Sequence, residues 1–395
     1  MRISTATFQQ DAVSQMQQLE ADLAKTQAQL STGKKLQSAA DDPAGMAQVN
    51  QMNVELSAST QYVTNGNTVS TNLKLEEQAL TDATTTMQNA RDLAVEANNA
   101  ALTPSQRQDI ATQLQQDLQN LVAIGNRTDS NGNYLFGGYA NSSAPFAQSG
   151  NAVTYSGANA VSQVPISSNQ SISAGDTGAT AFMNIVAGNG TFTTAAAPGN
   201  TGTGAIGTGS VTDPSSWVPD TYTISFTSPS QYQVTNSAGT PVTTGTFTDG
   251  NSISFNGIQV PITGTPAAGD RFTVAKAGTA SAFSTLSGLI TTLSAANLNP
   301  AQLATQIGGA LQQIDSAITN FSDVSASVGA RINAITSTAT TAQSTQTSLT
   351  INISAITDTD YAAATTQLST EELSLQAAQQ SYASVAQLSL FKYIS

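Results

Sequence analysis

The sequence predicts a mainly α protein with a β insert: paired N- and C-terminal coiled-coil helices, an α-helical rod domain and an outer antiparallel β domain. Three observations predict it. Residues 1–125 and 283–395 carry apolar side chains at helical spacing, largely every seventh residue. Residues 141–280 hold most of the glycine and proline and show short period-two alternation. Only 9% of the chain is charged, against roughly 25% in ordinary soluble domains, so its helix faces are unusually neutral. Neutral faces suit close packing among copies of one subunit, where like charges would recur at every contact.

The first helix fits a heptad, with Gln9, Met16, Leu23 and Leu30 on one row and Ala12, Leu19 and Thr26 on the next. Gly33 is a natural residue to follow its end. Asp42 as N-cap with Pro43 in the first helical position starts a second helix. Its pattern runs to about Ala101 through Leu73, Leu80, Met87 and Ala94, flanked by Ala83, Ala90 and Ala97. A helix of that length would reach roughly 85 Å. Thr103-Pro104-Ser105-Gln106 is a capping box opening a third helix, whose apolar face is Ile110, Leu114, Leu118 and Leu121. Helical spacing resumes at residues 283–294 and 300–355, with Ile307, Leu311, Ile314 and Ile318 as the clearest stripe. The last stretch places Tyr361, Leu368, Leu375 and Tyr382 at sevens beside Ala364, Ala378 and Val385, and Glu371 interrupts that second row.

The middle reads as antiparallel strands: Tyr222, Ile224 and Phe226, then Tyr232 and Val234, then Ile253 to Ile262, then Phe272 and Val274. Residues 187–215 read as an extended loop or a split between β lobes. The expected domains are 1–42 with 356–395 (inner coiled coil), 43–140 with 281–355 (helical rod) and 141–280 (outer β domain).

Composition excludes several functions. The chain has no cysteine and no histidine, which removes disulfides, thiolate chemistry and the commonest general base and metal ligand. A net charge of −13 with scattered basic residues argues against a nucleic-acid partner. No apolar run approaches the ~18 residues of a membrane span, and the first residues lack the apolar core of a Sec signal peptide. Gly202-Thr-Gly204-Ala-Ile-Gly207 spells the dinucleotide fingerprint but lacks the strand and helix that would give it meaning. Asp129, Asn131 and Asn133 begin like a calcium loop, yet Tyr134 and Ala140 stand where Gly and Glu are needed, so an Asx turn is expected. Glu76-Glu77 and Glu371-Glu372 are expected to be solvated or interface charges, and Trp217 a core or edge residue. No catalytic residue, cofactor or metal is expected, and the chain reads as a non-enzyme.

Several segments resemble the hook-associated protein 3 family of the flagellin superfamily. They are Met1-Arg2-Ile3-Ser4-Thr5, the Ser31-Thr32-Gly33-Lys34 turn, Asp41-Asp42-Pro43-Ala44, the stretch Thr128 to Tyr139 with Pro145-Phe146, and Leu388-Ser389-Leu390-Phe391-Lys392-Tyr393-Ile394. The ribbon over residues 257–274 is similar to the outer domain of hook-associated proteins; the likeness is partial over 220–276 and absent over about 147–219. The resemblance implies a structural adaptor joining the hook-associated zone of the bacterial flagellum to its flagellin filament as a ring of subunits. It implies the first hook-associated protein on the hook side, flagellin on the filament side and an export chaperone at the C-terminal region. An extracellular location reached by type III export is also implied. The alternatives are a flagellin-like filament subunit and, from another class, a surface adhesin.

The candidate assembly interface is Met16, Leu19, Leu23, Leu30, Leu368, Leu375, Tyr382, Val385, Leu388, Leu390 and Phe391. The candidate elbow between helix and β domain is Tyr134, Phe136, Gly137, Gly138 and Tyr139.

Overall fold

The computed structural model describes residues 5–295 and 299–391. Met1-Arg2-Ile3-Ser4 and Lys392-Tyr393-Ile394, used in the resemblance, lie outside the described residues, as do the side chains of Leu388, Leu390 and Phe391. Six α-helices occur among the described residues: α1 (Thr5–Thr32), α2 (Pro43–Ala97), α3 (Pro104–Gly125), α4 (Ala282–Ser294), α5 (Pro300–Thr357) and α6 (Tyr361–Phe391). The starts of α2 and α3 follow the capping signals of the sequence, while α2 ends at Ala97, four residues before the expected Ala101. The Asp42 carboxylate accepts the N–H groups of Ala44 and Gly45 at 3.1 and 2.9 Å, and Thr103 and Gln106 close a reciprocal capping box on α3.

Contacts divide the chain into two units, residues 1–64 with 339–395 and residues 65–338. In the first, α1 packs along α6. Gly33 follows α1 at φ +70°, a backbone conformation that suits glycine, and a β-carbon there would sit 2.9 Å from the Tyr361 hydroxyl. The adjoining strands of chain clasp each other: Lys35 N–H donates to Thr357 O at 2.8 Å and Thr359 N–H to Gly33 O at 2.9 Å. Lys34 Nζ adds bonds to Thr357 Oγ1 (3.2 Å) and to the Asp358 carboxylate, which holds that carboxyl below its ordinary range.

The second unit holds two hydrophobic clusters. One joins Leu73, Leu80 and Met87 of α2, Leu114, Leu118 and Leu121 of α3, Phe283, Leu286 and Leu289 of α4, and Ile307, Ile314 and Phe321 of α5. Two small hairpins lie against these helices, β1 (Phe146–Ser149) with β2 (Ala152–Tyr155) and β3 (Gln163–Pro165) with β4 (Ser171–Ser173). A π-helical turn, Ala179–Met183, precedes β5 (Ile185–Val186). Phe146, Ile166, Ile172, Phe182 and Ile185 are all buried in the helical cluster.

The second cluster fills a sandwich of two antiparallel sheets. Its strands are β6 (Phe192–Ala196), β7 (Ala205–Ile206), β8 (Ser210–Val211), β9 (Thr221–Ser228), β10 (Gln231–Thr235), β11 (Pro241–Thr246), β12 (Ser252–Phe255), β13 (Ile258–Thr263) and β14 (Arg271–Lys276). One sheet runs β11-β10-β9-β14-β6 and the other β12-β13-β7, with β8 also on β13. A last strand, β15 (Thr279–Ala280), pairs β5. Tyr222, Ile224 and Phe226 point into the core as their alternation predicts, as do Ile258, Val260 and Ile262.

The 187–215 stretch, expected as an extended loop or a split between β lobes, is not a loop throughout. It forms β6, β7 and β8 and places Phe192 and Ile206 in the core. Two apolar side chains in a Gly, Ala and Thr background give no period, so the sequence pattern conceals them. Trp217 packs at the sandwich edge, its ring 5.7 Å from Phe192 and 5.8 Å from Tyr222.

Candidate assembly interface

The heptad read in the terminal helices lies where the two helices meet. On α1 the heptad residues Gln9, Ala12, Met16, Leu19, Leu23, Thr26 and Leu30 are half-buried or buried, as Ala28 and Gln29 are beside them; on α6 the heptad set is Ala364, Leu368, Glu371, Leu375, Ala378, Tyr382 and Val385. Each set repeats at alternating spacings of three and four, the signature of a coiled-coil seam. The pair runs antiparallel, since Gly33 meets Tyr361 while Phe8 and Ala12 line a groove with Ala378, Tyr382 and Val385. That groove holds about 200 Å³. Most seam residues are only partly covered, and Phe8 (46%), Val13 (38%) and Leu373 (68%) stay exposed on the same two helices. Two helices alone leave apolar surface that further packing can bury.

Glu371 breaks the seam on the inside. Its Oε1 accepts from Gln367 Nε2 at 2.8 Å, while Oε2 is covered and without a partner. Glu372, beside it, is exposed.

The elbow residues split by role. Phe136 is fully buried and meets Phe182 edge-on, ring centroids 5.0 Å apart. Gly138 has φ +62°, and a β-carbon there would lie 2.6 Å from the carbonyl oxygens of both Ala158 and Ala160. A β-carbon on Gly137 would likewise lie 2.8 Å from Asn141 Cα. Tyr134 is half-buried and donates its N–H to Asn141 O at 2.8 Å, whereas Tyr139 is 64% exposed. Phe136, Gly137 and Gly138 therefore hold the local backbone, and Tyr139 alone presents a large side chain to solvent.

The two site-like motifs have structural uses. Asp129 Oδ1 accepts the N–H groups of Asn131 and Asn133 at 2.8 and 2.9 Å, an Asx turn. Burial pushes its carboxyl up, but the bonds from Asn133 and Asn131 outweigh that and lower it. Gly202 to Gly207 runs into β7, and no helix follows it.

Glu76 corrects the expectation of a solvated charge: Glu77 is exposed, but Glu76 is 1% exposed. It accepts the Asp176 N–H at 3.1 Å, and Asp176 pairs with Arg331, which also donates to Gly175 O at 3.0 Å. Burial, then the facing Asp176 carboxylate, hold the Glu76 carboxyl well above its ordinary range despite Arg331. Adjacency at positions 76–77 hid this, because consecutive helical residues point to different faces; Asp176 and Arg331 are 155 residues apart and gave no local signal. A group with a raised folded-state pKa contributes stability that is present below the usual glutamate range and lost as pH climbs through the raised value. Glu76→Gln mimics the protonated form. Its melting temperature should match wild type in acid and exceed it by a growing margin as pH rises, read by thermal melts across pH.

Three family models match the chain. The bacterial flagellin N-terminal helical region matches residues 3–141 and the flagellin C-terminal helical region residues 311–394. The D2-like domain of flagellar hook-associated protein 1 matches residues 195–276, so the outer-domain likeness begins well before the residue 220 expected from sequence. Over 185 residues the chain is 32% identical to flagellar hook-associated protein 3 of Salmonella typhimurium, covering 47% of this chain and 58% of that one. The chain thus spans little more than half the length of this curated relative. The FlgL crystal structure from Xanthomonas campestris is 33% identical and superposes with a TM-score of 0.71, covering 76% of this chain and 98% of that chain. The flagellar junction protein FlgL from Legionella pneumophila is 28% identical, with a TM-score of 0.68 over 73% and 99% of the two chains. No helix among the described residues is long and apolar enough to cross a membrane. With a solved FlgL covered almost end to end, and flagellin models matching both helical regions, the chain belongs to the FlgL family of flagellar hook-associated proteins, within the flagellin superfamily.

Proposed function

We propose that this chain is the structural adaptor between the hook-associated zone of a bacterial flagellum and its flagellin filament. The observation that carries the reading is the half-covered heptad seam of α1 and α6, in a chain that matches solved FlgL structures over nearly their whole length. Its subunits form a ring. The first hook-associated protein lies on one side and flagellin on the other, so each copy contacts its neighbours through non-identical faces. The seam candidates Met16, Leu19, Leu23, Leu30, Leu368, Leu375, Tyr382 and Val385, continued by Leu388, Leu390 and Phe391, form the inner contact.

The domain plan goes with this role: an inner coiled coil (1–42 with 356–395), a rod (43–140 with 281–355) and an outer β domain. The two hydrophobic clusters support starting the outer domain near residue 187, because Phe146 to Ile185 share the core of the helices. The subunit leaves the cell through the flagellar type III route, its C-terminal region guarded by a chaperone, and it catalyses nothing. A plain filament subunit is the second reading. The superposition on nearly the whole of a solved FlgL favours the adaptor, and the D2-like match points to a hook-associated protein.

Reconstitution tests the reading. Purified protein added to hook ends capped with the first hook-associated protein should let flagellin monomers grow filaments there. Filaments that grow equally well without it, or polymers of this chain alone in place of a limited layer, would refute the adaptor role.

A further inference from the structure

We propose that the outer β domain links copies of the chain head to tail: the open edge of β6 receives the opposite edge of the same sheet, β11, from a second copy, in a cleft that β6 forms with α4 and α5. The inference rests on the adaptor reading, which sets copies side by side.

The five-stranded sheet ends in β6 on one side and β11 on the other. Ala197 N–H donates to Arg271 O at 3.0 Å and Ala277 N–H to Thr191 O at 2.9 Å, so the odd-numbered positions of β6 face β14. The backbone groups of Thr194 and Ala196 therefore point to the outer edge, where no further strand pairs among the described residues. Edge strands are usually guarded by charge. Neither Phe192–Ala196 nor Pro241–Thr246 contains a charged residue. On β11, Pro241 and the register shift between Val234 and Thr235 guard only the first residues, leaving Thr243 to Thr246 in regular register.

Beside β6 the fold leaves room for another strand. Thr194, Ala195 and Ala196 line a cleft of about 400 Å³ with Gly288 of α4 and Gly309 and Gln313 of α5, and no charged side chain lines it. A β-carbon on Gly288 or Gly309 would meet nothing within 4 Å. Glycine inside a helix is less favourable than alanine, and the packing of the free subunit does not require it here. Gln313 is 9% exposed; its Oε1 accepts the Gly188 N–H at 3.3 Å, while Nε2 is covered and unpartnered. A covered amide donor calls for an acceptor, and the carbonyls along an incoming strand supply one.

Charge and topology single out a second copy as the occupant. Each chain carries a net charge of −13, so copies meet most readily through uncharged surface, which both edges provide. A strand added at a sheet edge gains a row of main-chain hydrogen bonds. Because β6 and β11 are different edges of one sheet, the contact is heterologous: it continues from copy to copy and closes into a ring where the rotation allows.

The chain has no cysteine, so introduced pairs report the contact cleanly. Ala195 and Thr244 are both exposed. Full-length Ala195→Cys/Thr244→Cys treated with a short bismaleimide should give a ladder of dimers, trimers and higher species, on capped hooks and in concentrated solution. Either single variant should stop at dimers. Ala195→Cys/Val218→Cys, whose second site is exposed but outside both strands, should give no ladder. On the Ala195→Cys/Thr244→Cys background, Gly309→Leu should abolish the ladder by filling the cleft. Ala196→Pro removes one edge N–H that β14 does not use and should cut the ladder by about fivefold. Both should melt like the parent; if Ala196→Pro does not, Gly309→Leu decides alone. No ladder in either setting, an equal ladder from the Val218 control, or a ladder indifferent to both changes overturns the pairing. Cross-links on capped hooks that run only to flagellin or to the first hook-associated protein also overturn it, since another chain then fills the cleft. Filament growth without a ladder would refute the pairing and leave the adaptor reading standing; a ladder in solution without filament growth would do the reverse.

Discussion

Replacing Arg331 by alanine should lower the stability of the unit spanning residues 65–338 by up to about 3–5 kcal/mol, the ceiling set by removing one partner from a fully buried ion pair. The Arg331 side chain is 14% exposed and that of Asp176 22%, so water replaces little of what is lost. The same change removes the donor to Gly175 O and leaves Asp176 facing the buried Glu76 with no cation between them. Arg331 on α5 and Glu76 on α2 thereby tie the segment after β4 to two helices. Urea unfolding at neutral pH checks the magnitude. Adding Glu76→Gln to Arg331→Ala should recover part of the loss, because a neutral amide escapes the cost of ionising a buried carboxyl beside Asp176; a loss below about 1 kcal/mol would place the pair with ordinary surface salt bridges.

Leu375→Asp should abolish incorporation into the junction while leaving the second unit folded. Leu375 sits half-buried in the middle of the α6 seam, between Leu368 and Tyr382. A fully buried leucine cut back to alanine costs about 2–5 kcal/mol, and a carboxylate there adds the penalty of desolvating a charge. In the free subunit Leu375 is only partly covered, so most of that loss appears on assembly and, in the proposed ring, recurs in every copy. The mutant should melt like wild type when followed through the aromatic-rich sandwich, yet fail to nucleate filaments on capped hooks. Normal nucleation would show that the seam is not an assembly surface.

The legible parts of this fold are those written in local patterns. The seam rows Met16 to Leu30 and Leu368 to Val385, the Asp42 cap, the Thr103–Gln106 box and the alternation of β9 each depend on residues a few positions apart, and the structure uses them as read. What escaped depends on distant pairings. Phe192 and Ile206 fill the sandwich from a stretch whose composition suggests a loop. Glu76 is buried by a loop a hundred residues away. The hairpins of residues 146–173 belong with the helical core because Phe146, Ile166 and Ile172 meet helices that were distant in sequence. For the elbow, the glycines announced a confined backbone, but only the coordinates separate buried Phe136 from exposed Tyr139.

Deleting the gene for this chain from a motile cell, and then looking at the hooks and the culture medium, tests the central claim most directly. The adaptor account predicts complete hooks bearing the first hook-associated protein, no filaments, and flagellin monomers shed into the medium, with wild-type protein but not Leu375→Asp restoring filaments. Normal filaments on the deletion strain, or loss of the hooks themselves, would contradict it.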